Sequence, residues 1–580
     1  MTTTRRLGAV VAIAAAVACA SSGCTVIPVS GPYTVSEVGA GDPLTKSFQR
    51  MIAIPPQEGW GPEETIRGLQ AAMAAYPDDP TILPQYLTAE ALAKWSPAGP
   101  VTVIEDGFEV VPQTPRDTTG AVEKLQVKAQ VVASIKEDDS YAPTAGSWDR
   151  PFDLVKVQGS GYRVKSLPTG LVLTNSDVMR AYRPTNLYYM SGNSQKQLVV
   201  DRVRLRLKPT ESFAQTILER LLKPQTAALE GGAVTSSFPP GTKIESIRWS
   251  GEERVVINLS GPIDANDLST EDSLRAQVRY SLSKNEVAKG RVIEMQLDGE
   301  PYFIDRPESD EGWLDDSGDS AYYVSKGAVH YMGKDGPAGV VPGPAGQPRD
   351  GYSNYTLSKE GTATSFVAAT TSTGISVAKL APEGQWQEVI QGTGLTPPTW
   401  HQDGSLWTYD TKNGFLLRYD PATGRGPERV SAPKLQGLDV TRLRIARDGV
   451  RVAVTTGKNT VQIGALTHDV SGTMLGNFQS LTTTETGKEI LDVAWADDEH
   501  LLVLVGIKAG QILSQINVGD GETVGIPLED QLTRLAAAGG RVLGEFSTDQ
   551  GVKVMELNQD RQSWTAKIEQ GAGTPLFPLG

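Results

Sequence analysis

Five stretches in the C-terminal half of the chain share one pattern. "TLSKEGTATSFVA" from Thr356, "PTWHQDGSLWTYD" from Pro398, "LRIARDGVRVAVT" from Leu443, "VAWADDEHLLVLV" from Val493 and "RLAAAGGRVLGEF" from Arg534 each run from an apolar strand end, through a two-residue polar turn, into a second apolar or alternating strand. With the second turn residue as marker, Gly361, Gly404, Gly449, Glu499 and Gly540 recur at spacings of 43, 45, 50 and 41. A unit of this length with several short strands cannot bury both faces of its sheet alone, and radial stacking of such units gives a β-propeller. Residues 321–580 divided by the spacing predict about six blades, within a range of five to seven, with "AYYVSKGAVHYM" around Gly327 as a partial first blade.

The opposite end of the chain carries an address. Arg5 and Arg6 precede an uninterrupted apolar run from Leu7 to Ala20, followed by Ser21-Ser22-Gly23-Cys24. That is the layout of a secretory signal peptide, and 14 residues is too short for the roughly 20 that a membrane span needs. The arginine pair reads as the basic region of the general export route rather than as a twin-arginine signal. Small residues before a cysteine resemble a bacterial lipobox, although Ser21 stands where such boxes usually carry an aliphatic residue. The resemblance implies cleavage between Gly23 and Cys24, with S-diacylglycerol and N-palmitoyl groups on Cys24. Cys19 lies in the segment removed, so the mature chain keeps one thiol and no disulfide. Acyl chains contribute about 0.8 kcal/mol per buried methylene, so two or three of them hold a protein at a membrane. The formal charge is −14, and losing Arg5 and Arg6 with the leader leaves −16. Such a body excludes nucleic acid as a partner and is repelled by anionic lipid, which leaves attachment to the tether.

Residues 24–44, including "PVSGPYTVSEVGAGDP", are expected to form a lipidated flexible tether. Over 45–183 a helix is predicted from Pro62 to Tyr76, with Ile66, Leu69 and Met73 on one face. A second is predicted from Pro84 to Trp95, with Thr88 capping its second half, and alternating strands begin at Leu125. This order is α+β and resembles the nuclear-transport-factor-2-like fold. Over 184–304 a strand, "LVVDRVRLRL", precedes the helix "ESFAQTILERLL". A hairpin turns at Ser250-Gly251, a helix is capped by Ser269, and "RVIEMQLDGEP" closes the unit. This succession, with "FPPGTKIESI" and "VVINLS", resembles the GerMN domain, another α+β unit. Residues 305–320 read as an acidic, solvated linker before the propeller of 321–580.

A lipobox, an α+β unit, a GerMN module and a propeller in that order resemble the LpqB family of actinobacterial lipoproteins. The resemblance implies a non-enzymatic, lipid-anchored protein on the extracytoplasmic face of the cell membrane. Its implied partner is the extracytoplasmic part of a sensor histidine kinase of the MtrB kind, in the MtrA–MtrB system that governs envelope and division functions. Only Cys24 carries over as a functional residue.

Chemical motifs point elsewhere only weakly. His330, His401, His468 and His500 sit in different repeats without a second ligand at metal spacing, so neither a metal nor a cofactor is expected. The acidic run from Asp305 to Asp319 lacks the ligand ladder of a calcium loop. "SLSK", Ser281 to Lys284, has Ser-x-x-Lys spacing without its companion motifs, on a helix that should turn Lys284 to water. Trp400, Trp407 and Trp495 are expected to pack between blades. The alternative function is an envelope protein that binds or hydrolyses cell-wall polysaccharide, marked by two carboxylates beside exposed aromatics at one mouth of the propeller.

Overall fold

The computed structural model describes residues 33–37, 48–113, 122–193, 196–208, 211–250, 254–305, 312–314, 320–359, 365–470, 472–549, 551–569, 571 and 573–580. Gly23, Cys24 and the turn marker Gly361 lie outside them. Part of the expected tether pairs: Tyr33–Glu37, rich in β-formers, runs antiparallel to Phe48–Ile52.

In the first unit, helix α1 (Pro62–Ala75) starts with proline in its first turn and buries Ile66, Leu69 and Met73. The predicted second helix divides in two. Leu83–Tyr86 is a single 3-10 turn, Leu87 is extended, and α2 (Ala89–Lys94) begins where Thr88 accepts the Ala91 N–H at 3.2 Å. Both wrap a six-stranded sheet whose long central hairpin is Glu123–Ile135 with Tyr141–Val157. A third helix, α3 (Asn175–Ala181), was not predicted. Its signal is Thr174-x-x-Asp177, a reciprocal capping box with both bonds formed.

The second unit opens with the hairpin Tyr182–Ser191 and Leu198–Arg206, then α4 (Phe213–Leu221), whose Phe213, Ala214, Ile217, Leu218 and Leu221 are buried. A sheet follows in the order Lys243–Ser250, Arg254–Ser260, Val292–Leu297, Glu300–Asp305. The parallel pairing of its middle strands requires a crossover, which α5 (Leu268–Ser283) supplies. The cap of α5 is Asp267 rather than Ser269. Its carboxylate accepts both the Ser269 N–H at 3.0 Å and the Thr270 hydroxyl at 2.6 Å, which a neutral hydroxyl does less strongly. The acidic segment is anchored at two points rather than solvated throughout. Asp305 is buried 3.5 Å from Arg279, and buried Trp313 accepts the Leu198 N–H at 2.9 Å and packs on Tyr188, Val200 and Ala276.

Six four-stranded sheets form the propeller, as the spacing predicts. The innermost strands are Pro575–Leu576, Ser353–Leu357, Thr399–Trp400, Val440–Ile445, Glu489–Trp495 and Gln531–Ala538, each touching the next around a closed ring. The first blade is incomplete locally, with strands Ala321–Ser325, Ala328–Gly333 and Gly336–Val340, and receives its inner strand from the C-terminus. Leu576, Phe577 and Leu579 are buried by that closure. Removing residues 574–580 is expected to lower the melting temperature, because each lost apolar side chain was worth about 1.5–3 kcal/mol. Thermal unfolding identical to that of the full chain would contradict the closure.

Candidate functional site at the three-domain seam

The second half of the strand Leu198–Arg206 alternates between buried and half-buried residues. One face sends Val199, Val203 and Leu205 into the core of the second unit, and the other carries Arg202, Arg204 and Arg206 in a row. Asp201, on the core face, is fully enclosed. Burial pushes its carboxyl above the usual range, against bonds at 2.8 Å from the Thr226 amide and hydroxyl.

The three arginines hold the two flanking units. Arg202 meets the propeller carboxylates of Asp520 at 2.8 Å, Glu522 at 3.0 Å and Glu499 at 3.6 Å. Burial pulls the Arg202 guanidinium down, and Asp520, Glu499 and Glu522 more than offset it, so the charge is permanent. Arg204 shares Asp520, whose side chain has no exposed surface, at 2.9 Å, and lies over the Tyr141 ring of the first unit at 4.7 Å. Arg206 forks onto Asp78 of the first unit at 3.1 and 3.3 Å and donates to the Ala74 carbonyl. Arg220 of α4 repeats the device, donating to the Asp139 carboxylate at 2.9 Å and the Asp138 carbonyl at 2.8 Å.

On the propeller side the contacts come from blades four and five. Asn186 donates to both oxygens of Glu499 at 2.8 and 2.9 Å. Arg451, paired with buried Asp448 at 2.9 Å, donates to the Val200 carbonyl. The long hairpin Thr460–Asp469 and Gly472–Thr483 of blade four reaches the second unit, where Asn477 donates to the Glu230 carbonyl at 2.9 Å. Gly232, with φ +80°, sits so close that a Cβ would lie 2.1 Å from the His468 carbonyl oxygen. Buried charge pairs add little net stability over apolar packing, yet leaving one partner unpaired is costly. The seam therefore selects one arrangement of the three units.

The residues singled out from sequence are structural in their surroundings. Ser281 is buried and its hydroxyl accepts the Tyr188 N–H at 3.0 Å, while Lys284 faces water. Trp400, Trp407 and Trp495 are buried between blades. His330 stacks on Tyr323 at 4.9 Å, and His500 contacts Asp497 at 2.8 Å. Among the described residues no cluster of three His, Cys, Asp or Glu is placed to hold a metal. His401 links blades three and four, with Nε2 2.8 Å from the Gly449 carbonyl and Nδ1 2.9 Å from Asp403. Burial pushes Asp403 up, but His401 and Ser405 outweigh it and hold the carboxyl well below the carboxylate range. A depressed pKa stabilises the fold above the unfolded value of about 3.9, and the gain is lost as pH falls through the folded value. The melting-temperature deficit of Asp403→Asn should therefore shrink as pH falls below about 4. A deficit that widens below that pH would contradict this.

The three units each match a known family model. Residues 55–179 match the N-terminal domain of lipoprotein LpqB, 186–303 match the sporulation and spore germination domain, and 331–578 match the LpqB β-propeller domain. Fold and domain order thus define a three-domain protein with a six-bladed propeller. The chain belongs to the LpqB family. It is similar to lipoprotein LpqB of Thermobifida fusca, at 28% identity over 98% of this chain and 99% of that one. The Streptomyces coelicolor protein of the same name is 26% identical over 90% of this chain and 89% of its own. Among solved structures, TolB from Acinetobacter baumannii aligns with a TM-score of 0.34 at 12% identity, over 58% of this chain and 98% of that one. No helix among the described residues is long and apolar enough to cross a membrane.

Proposed function

We propose that this lipoprotein is anchored through acylated Cys24 to the extracytoplasmic face of the cell membrane. There it acts as an accessory regulator of a sensor histidine kinase of the MtrB kind, influencing envelope and division functions. The observation that carries the reading is the seam: Arg202, Arg204 and Arg206 fix three units into one body, as suits a protein whose work is to present surfaces to a partner. Family membership supports the lipid anchor.

Regulation requires the protein to bind two kinase states unequally, and a tenfold shift between them needs about 1.4 kcal/mol of difference. Reconstitution tests this. The acylated protein, added to liposomes containing the kinase, should change the rate of autophosphorylation. An unchanged rate at saturating protein would contradict the regulatory role.

A second reading, wall-polysaccharide binding, is favoured by a groove of about 720 Å³ in the second unit, lined by the polar residues Thr235, Ser236, Ser237, Thr270 and Ser273. Sedimentation with purified cell wall separates the two readings.

A further inference from the structure

The six innermost strands of the propeller are unevenly charged. Ser353–Leu357, Thr399–Trp400 and Pro575–Leu576 carry no charged side chain. Val440–Ile445 supplies Arg442 and Arg444, Glu489–Trp495 supplies Glu489 and Asp492, and Gln531–Ala538 supplies Arg534. Glu489 is exposed and tied to Lys458 at 3.2 Å. Three guanidiniums thus share one inner carboxylate.

That carboxylate is already committed. Asp492 accepts the Leu535 N–H of blade six at 3.0 Å and the Val493 N–H at 3.1 Å, and lies 3.5 Å from Arg442. Arg442 also donates to the Leu491 carbonyl at 2.6 Å. Arg444 makes one hydrogen bond, at 3.3 Å, to the carbonyl of neighbouring Leu443, and among the described residues no carboxylate is within ion-pair distance of it. Among the described residues, the Arg534 side chain likewise bonds only the carbonyl of its neighbour, Thr533, at 3.2 Å. Glu545, opposite Arg534 on the next strand, receives the Thr533 hydroxyl at 2.6 Å. Arg444 is enclosed by protein but only half-buried. Burial pulls its guanidinium down to about 10, and repulsion from Arg442 and Arg534 adds to this against the attraction of Asp492.

The channel is closed at one end. The last residues cross it: the Pro578 carbonyl accepts Arg447 of blade four at 2.6 Å, and the Leu579 N–H donates to Leu357 of blade two at 2.9 Å. This is the end that bears the turns docked on the second unit, and beyond this crossing the six inner strands surround the channel as a well.

We propose that this well is a binding site for a small dianion of phosphate chemistry, held by Arg442, Arg444 and Arg534. Three guanidiniums outnumber the carboxylates of Asp492 and Glu545 beside them, and forked guanidiniums suit tetrahedral oxyanions. Low-dielectric walls focus the potential on the well. The proposal is independent of the kinase partnership.

Purified acylated protein in low-salt buffer, titrated calorimetrically with inorganic phosphate and, in a second arm, with glycerol 3-phosphate, tests it. Wild type should bind at least one saturably, and Arg444→Gln should weaken that binding about tenfold or more. Arg150→Gln, an exposed arginine of the first unit, should bind as wild type does. The tighter arm tells a phosphomonoester from the free ion. Should Arg444→Gln fail to fold, Arg534→Gln decides by the same loss. Absence of saturable binding in both arms, or equal affinity of wild type and the channel variant, would overturn the proposal.

Discussion

Asp520→Ala is expected to cost about 3–5 kcal/mol at the seam, because it strands Arg202 and Arg204 without the carboxylate they share. The Asp520 side chain has no exposed surface and stands 2.8 and 2.9 Å from the two guanidiniums. Arg202 keeps Glu499 and Glu522, but among the described residues Arg204 is left with the Tyr141 ring alone as a charge-stabilising partner. Calorimetry should show the propeller unfolding at nearly its wild-type temperature, with the first two units separating from it earlier. Limited proteolysis should then cut between the second unit and the propeller. A single transition at the wild-type temperature would show that the arginine row does not hold the units together.

Cys24→Ala is expected to abolish membrane attachment altogether. One acyl chain gives only marginal binding and two or more give stable anchoring, so loss of the thiol that carries them removes the whole effect. The variant should appear unprocessed or in the soluble extracytoplasmic fraction with its fold intact, and a labelled fatty acid should mark only the wild type. Equal labelling of both proteins would place the anchor elsewhere.

The sequence was informative where structure follows local periodicity. The repeat spacing predicted six blades, and the incomplete unit at Gly327 is the one that the C-terminus completes. Two irregularities in that repeat held more than their spacing alone could reveal. Glu499 stands where Gly404, Gly449 and Gly540 turn with positive φ, and it is the residue that receives Asn186 and Arg202. The longest spacing, 50, spans blade four, whose extended hairpin meets Gly232 and Glu230. Departures from the repeat thus fall where the propeller docks.

The arginine row was legible as a strand face but not as a seam, because Arg202 and Asp520 lie 318 residues apart. The channel charge was hidden for the same reason: Arg444 and Arg534 stand on the inner strands of different blades. Local competition decided the remaining differences. Asp267 displaced Ser269 as a cap because a carboxylate is the stronger acceptor, and α3 was missed although Thr174 and Asp177 were spaced to cap it.

The central claim is that a lipid-held, three-unit body engages a sensor kinase outside the cytoplasm. Crosslinking in intact cells, followed by mass spectrometry of the captured partners, tests it most directly. The account predicts that the wild-type chain captures the extracytoplasmic domain of the kinase and that Cys24→Ala captures much less. With the kinase well expressed, consistent failure of the wild-type chain to capture that domain would contradict it.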